Sequence, residues 1–167
     1  MAKHHKEKEE KTNVMRVLEQ QKIPYQPHAY PHEEGVAVDG VSVAESLGQD
    51  PEKVFKTLVA RGASKEIYVF VIPVAESLDL KKAARVVGEK SIELVAVKEI
   101  NGLTGYIRGG CSPIGMRKQY KTVFHETAEI VDSIMVSAGK IGLQVELAPD
   151  ALMKLVGART ADITVEA

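Results

Sequence analysis

The chain has no tryptophan, a single cysteine and few aromatic residues, 5% of 167. With Cys111 alone no internal disulfide can form, which points to a reducing compartment or to a framework that needs no staples. The same lack excludes a cysteine-rich zinc site. No apolar run approaches the ~20 residues of a membrane-spanning helix; the longest, Ile67 to Pro73, is strand-sized. No charge sign is in excess: 22 Lys and Arg against 23 Asp and Glu give a net charge of −1. That balance excludes a basic coat for nucleic acid, but not a protein that holds one end of one. Missing too are a Gly-x-Gly-x-x-Gly turn after a strand, a Walker phosphate loop and a Gly-x-Ser-x-Gly elbow. His28 and His32 stand four apart, but the prolines around them deny the helix that would bring both onto one face, so no metal site is expected.

What is present reads as one globular domain, 44% hydrophobic and 27% charged. Residues 1–11 are polar and mixed in charge, with no apolar core of a signal peptide. They are expected to be a flexible tail ahead of a domain over 12–167, with the cytoplasm as the default location. A helix over 13–22 is followed by Pro24 and an extended segment over 25–31. Ser42-Val-Ala-Glu45 fits a capping box, with Gly48 as the stop. Residues 54–60 and 67–72 are dense in Val, Ile, Phe and Leu and read as paired strands buried on both faces. A helix follows over 79–87, then a strand over 92–97 and a turn at Asn101-Gly102. Short strands are expected at 106–107, 122–125, 134–137 and 143–147, and a last helix opens at Pro149. Strands outnumber helices and the helices fall between them singly. The class is therefore α/β or α+β, with a mixed sheet that is curved or closed.

Three features carry chemistry. Lys56 interrupts the apolar run Val54-Phe-Lys-Thr-Leu-Val-Ala60. Alternation places it on the face of Val54 and Leu58. There it either snorkels to a wet rim or serves as a cation at a pocket mouth, aimed at a carbonyl, carboxylate or phosphate. Arg108-Gly-Gly-Cys-Ser-Pro-Ile-Gly115 is either a tight connection or a loop whose backbone approaches a ligand closely. Tyr30-Pro-His32 either lines a pocket or covers a sheet edge. Cys111 lacks any inferable base, and packing is its simpler role.

In this order the segments Lys22-Ile-Pro-Tyr25, His28-Ala-Tyr-Pro-His32, Val54-Phe-Lys-Thr-Leu58, Leu80-Lys-Lys-Ala-Ala84, Gly109-Gly-Cys-Ser-Pro-Ile-Gly115, Val136-Ser-Ala-Gly-Lys140 and Leu143-Gln-Val-Glu-Leu-Ala-Pro149 resemble the YbaK/EbsC family, and within it the bacterial Cys-tRNA(Pro) deacylases. The resemblance runs from about Lys11 to Asp162. It implies a barrel-like mixed sheet flanked by helices, and trans-editing, the hydrolysis of a wrong amino acid from the tRNA acceptor end. Prolyl-tRNA synthetase is the implied partner and no cofactor is implied. It maps the essential lysine onto Lys56, a pocket tyrosine onto Tyr30, and the first glycine and the proline of a Gly-x-x-x-Pro loop onto Gly109 and Pro113; the amides from Gly109 through Gly110 to Ser112 are then expected to stabilise developing negative charge. A late pocket position, acidic in some relatives, falls on Gln144. In the mechanism implied by the family, the substrate's own thiol attacks its ester, so no protein nucleophile is needed. The alternatives are a deacylase for another small aminoacyl-tRNA, such as alanyl, and a non-catalytic module that binds aminoacyl-adenosine or a nucleotide. At a net charge of −1 any tRNA grip must come from clustered cations, with Lys81, Lys82, Arg85, Arg117, Lys118, Lys121 and Lys140 as candidates.

Overall fold

A computed structural model describes residues 11–166. The expected tail lies outside the described residues except for Lys11, whose ammonium donates to Glu19 Oε1 at 2.8 Å. The chain begins with α1 (Asn13–Gln20), capped by the Thr12 hydroxyl accepting from Met15 N, and β1 (Tyr25–Ala29). Then come α2 (Gly40–Ser46), β2 (Phe55–Gly62), β3 (Ile67–Pro73), α3 (Leu80–Val87), β4 (Ile92–Leu94) and α4 (Val97–Thr104). Lastly β5 (Lys121–His125), a 3-10 turn (Glu126–Glu129), β6 (Ile134–Lys140), β7 (Leu143–Leu147), α5 (Pro149–Val156) and β8 (Arg159–Ala161) complete the domain.

The mixed α/β class is as expected, but the strands form two sheets and do not close into a barrel. One is antiparallel, in the order β1-β7-β6; the other is mixed, in the order β4-β2-β3-β5-β8. They meet at a parallel bridge between Val54 and Met135. Apolar side chains fill the space between. Phe55, Val69, Val71 and Phe124 of the five-stranded sheet pack with Ile134, Val136 and Val145 of the three-stranded one. On the far face of the larger sheet, Ala83 and Ala84 of α3 seat against Ala60, Phe70 and Ile72. Burying side chains of this size is worth about 1.5–3 kcal/mol each, so these two layers hold the site in place.

Several local expectations change. The cap of α2 is Asp39, which accepts from Ser42 N, so Ser42 lies inside the helix and does not open it. The strand expected over 92–97 stops at Leu94, and Asn101-Gly102 falls inside α4, a helix with no side-chain cap at Ala96. Residues 106–107 form no strand; Tyr106 N donates instead to Thr104 Oγ1 at 3.0 Å. Strand β8, which pairs parallel to β5, had no alternation to announce it. Among the described residues no helix is long and apolar enough to cross a membrane.

Candidate functional site

The site follows from the length of β4. It has three residues and pairs only with Ala60, Arg61 and Gly62. One further bond, from Val95 N to Val59 O, ends the ladder. Ahead of it, past the bridge to β6 at Val54, the β2 edge from Lys56 to Leu58 has no paired strand among the described residues, and the chain turns at Ala96 into α4. A cavity of about 420 Å³ opens there. Its walls are the β2 edge, Leu94 at the end of β4, Val97 of α4, Tyr30 just after β1, and Ser137 and Gln144 of the smaller sheet. This explains an oddity of β2. The sequence predicts burial on both faces, yet its middle residues Lys56, Thr57 and Leu58 are only partly buried.

Lys56 stands opposite Ile72 on the face covered by α3, and its side chain lines the cavity. No carboxylate among the described residues lies within ion-pair distance of its ammonium. Burial pulls its pKa below the ordinary lysine value, and Glu76 in the turn after β3 offsets part of that. A half-buried, unpaired ammonium in a concave site is an electrostatic device for an incoming anion or developing oxyanion.

Beside it, the cavity offers polar atoms without partners. Val74 N donates to Val54 O across β2–β3, and Val95 N donates to Val59 O across β2–β4. Strand alternation therefore turns the main-chain N–H and C=O of Thr57 toward the uncovered edge. Thr57 Oγ1 and Gln144 Oε1 are both buried and without a hydrogen-bond partner among the described residues, and both residues line the cavity. Ser137, paired across the ladder with Gln144, accepts from Gly139 N at 3.1 Å. Tyr30 is buried, its N–H donates to Gly142 O at 2.9 Å, and its ring meets His32 edge-on at 6.2 Å.

The glycine loop divides in two. Gly109 and Cys111 line the cavity; Gly110, Ser112 and Pro113 do not. Gly109 has φ +87, and a Cβ there would lie 2.8 Å from Ala37 Cβ, so both conformation and space demand glycine. Gly110 N donates to Ile107 O, and a Cβ at Gly110 would meet the Lys140 backbone at 2.9 Å. That close approach seats the loop on the β6–β7 hairpin. Ser112 is fully buried and accepts from Ile114 N at 3.3 Å, setting Ile114 into the core. The structure thus brings Lys56, Tyr30, Gly109 and Gln144 together around one cavity, while Gly110 and Ser112 make their contacts within the loop and against the β6–β7 hairpin and Pro113 lies outside the cavity lining. Thr57, Ser137 and Arg108 also line it; only an unusual lack of β pairing next to Lys56 could have announced Thr57.

Cys111 is set apart from nucleophilic chemistry. Burial pushes its thiol up to about 11, against a smaller opposing effect of a Thr104 hydrogen bond, so it stays protonated near neutrality. Among the described residues no histidine lines the cavity to act as its base. His28 instead bonds Glu146 at 2.8 Å, and His32 bonds Tyr30 O at 3.2 Å, so the two diverge and share no metal position. Elsewhere His125, Glu126 and Asp162 draw close. Asp162 is paired with Lys82, however, and His125 Nδ1 accepts the N–H of Ile163.

Known proteins resemble this chain in sequence and in fold. Residues 35–155 match the model of the aminoacyl-tRNA editing domain. EbsC of Enterococcus faecalis (strain ATCC 700802 / V583), described as a candidate Cys-tRNA(Pro)/Cys-tRNA(Cys) deacylase, is 46% identical over 159 residues, covering 95% of this chain and 96% of that one. Among solved structures, a candidate trans-editing enzyme for prolyl-tRNA synthetase superposes with a TM-score of 0.79 at 24% identity, over 92% of this chain and 97% of that one. The hypothetical protein APE2540 superposes with a TM-score of 0.82 at 21% identity, over 92% and 100%. At those identities the two structures speak for the fold alone.

Proposed function

The chain belongs to the aminoacyl-tRNA editing-domain family, and from that premise we propose that it is a trans-acting deacylase that removes cysteine from mischarged Cys-tRNA(Pro) in the cytoplasm. Cysteine and proline are similar in size, so one binding pocket separates them poorly and a second, hydrolytic sieve is needed. The observation that carries the reading is the pairing of an unpaired, half-buried Lys56 with a cavity that contains no activated nucleophile of its own.

The chemistry follows from what the cavity holds and lacks. The cysteinyl thiol of the substrate loses its proton and adds to its own ester carbonyl; a C–S bond forms. The C–O bond to the ribose breaks, the ribose oxygen takes up a proton, and a cyclic thiolactone departs. The protein contributes position and charge. Lys56 faces the ribose–phosphate and carbonyl region and stabilises the developing oxyanion. The Gly109 turn lets backbone approach the acyl group, and Thr57 and Gln144 offer polar atoms to its amino end. A seryl ester offers a hydroxyl at the same reach, too weakly acidic to attack as readily as a thiol, and an alanyl ester offers no attacking atom there at all.

The test is single-turnover deacylation of Cys-, Ser- and Ala-tRNA(Pro), with and without prolyl-tRNA synthetase. Rapid loss of Cys-tRNA with Ser-tRNA spared is expected. Equal rates on alanyl or seryl esters would mean that a water attacks and would overturn the thiol-assisted mechanism. Saturable binding with no ester turnover would make the chain a binding module.

A further inference from the structure

A second depression lies next to the cavity, between α3 and β4. It has a volume of about 530 Å³ and is lined by Lys81, Arg85, Lys90, Leu80 and Ile92, among others. Its relation to the first site comes from β4. Ile92 lines this cleft and Leu94 lines the cavity; alternation puts both on one side of the strand, roughly 7 Å apart at ~3.3 Å per residue. Helix α3 leaves the turn that carries Glu76, near Lys56, and runs back to where the Glu89 side chain meets Gly62. The cleft therefore leads away from the cavity mouth along the length of α3.

The cations in this cleft, Lys81, Arg85 and Lys90, outnumber its one acid, Glu89. Lys81 and Arg85 stand four apart on α3, a like-charge pair that costs a few tenths of a kcal/mol in a helix. Among the described residues, no side-chain ion pair or hydrogen bond engages Lys81, Arg85 or Lys90. The acid in the cleft, Glu89, is turned inward: it accepts from Ser64 N, Ser64 Oγ and Tyr68 OH, which hold its carboxyl below the usual range. Four cations elsewhere are occupied. Lys82 bonds Asp162 and Thr164 O, Lys121 pairs with Glu66, Lys53 with Glu146, and Arg61 with Glu99. Large apolar side chains lie open along the same path, Leu80 at 41%, Leu94 at 49% and Val97 at 54% exposure. Open cations interleaved with apolar contact points fit an unpaired strand, whose phosphates and bases alternate in the same way.

We infer that the α3–β4 cleft holds backbone phosphates of the single-stranded acceptor end whose terminal residue enters the cavity, with Lys81, Arg85 and Lys90 as the phosphate contacts. This rests on the tRNA-directed reading above and adds the surface that reading leaves unassigned. It also accounts for a protein of net charge −1 that binds a polyanion, because three cations gather in one cleft with a single acid and no side-chain partner among the described residues.

The test reads binding and not turnover. Deacylated tRNA with an intact CCA end is titrated by fluorescence anisotropy at several salt concentrations. The triple variant Lys81→Gln, Arg85→Gln, Lys90→Gln is compared with the parent and with Lys65→Gln, Lys118→Gln, Lys121→Gln, which removes the same charge from a cleft containing Glu66. Each lost phosphate contact lowers the slope of log K against log salt by about 0.7–0.9. The cleft variant is expected to lose about two units of slope and at least tenfold in affinity near physiological salt, and the second triple to stay near the parent. A cleft variant with the parental slope, an equal loss in the second triple, or a parent that does not bind tRNA overturns the inference. A chain that binds in this way but hydrolyses no ester would refute the deacylase reading and leave the surface standing.

Discussion

Replacing Lys56 by methionine separates what this residue does for the reaction from what it does for the fold. The side chain keeps an unbranched apolar stem, with sulfur in place of one methylene, and loses the ammonium. No carboxylate among the described residues lies within ion-pair distance of it, so the substitution strands no buried partner. For catalysis the relevant scale is removal of one oxyanion-directed donor from a water-poor site, about 2.7–4 kcal/mol or 10²–10³ in rate. For stability the sign is opposite. Burial depresses the folded-state pKa of Lys56, with Glu76 offsetting only in part, so folding disfavours its charged form at every pH below the ordinary lysine range. Lys56→Met therefore leaves Tm unchanged or raises it, while single-turnover deacylation falls 10²–10³-fold. The same depression places the alkaline limb of the rate profile below 10.5, since the working ammonium is lost as pH rises through its folded pKa. Melting curves and single-turnover rates on one preparation decide it. A loss below tenfold, or a rate loss matched by a large fall in Tm, would refute the assignment of charge stabilisation to Lys56.

Two further perturbations test the loop. Cys111→Ser is expected to keep most of the deacylation rate, and iodoacetamide should modify Cys111 near neutral pH about 10²-fold more slowly than an ordinary free thiol, because its pKa is pushed up to about 11; an inactive, folded serine variant would reinstate the thiol as a nucleophile. Gly109→Ala places a Cβ against Ala37 at a positive φ, and urea denaturation should register a loss of about 2–4 kcal/mol; adding Ala37→Gly should restore part of it, and no recovery would mean that the strain lies elsewhere.

How much of this the sequence disclosed depended on whether a residue's role is local. Lys56 stands out because a charge in an apolar strand demands a reason, and the cavity supplies one. The helix stops at Gly88 and Gly157 are local too, both adopting left-handed backbone after α3 and α5. The loop after Arg108 shows the opposite case. Its composition marks backbone crowding, but which glycine meets ligand space and which meets the Lys140 backbone depends on the docking of a distant hairpin. Helix α4 was concealed by Asn101-Gly102, a turn signal overridden once Arg61 pairs with Glu99 and the Thr104 hydroxyl returns a bond to Ile100 O. The basic residues were visible as a list, and only tertiary pairing separates Lys81 and Arg85 from the occupied Lys82 and Lys121.

The shortness of β4 ties these observations together. Another two or three residues of pairing would carry β4 past Thr57, satisfy its main-chain groups and cover the β2 edge from which the cavity opens. Instead the chain turns at Ala96, and α4 supplies Val97 and Ile100 as a wall where a neighbouring strand would run. An unpaired edge inside a protein is costly unless something hydrogen-bonds to it. Here the same incomplete ladder leaves Thr57 Oγ1 unpartnered, holds Lys56 half in water, and places Leu94 open at the lip leading to the α3–β4 cleft. Cavity, polar lining and entry path thus share one structural cause. A residue added to β4 would be felt at all three, whereas a substitution at Ser112 or Pro113 reaches the cavity only through the fold of the loop.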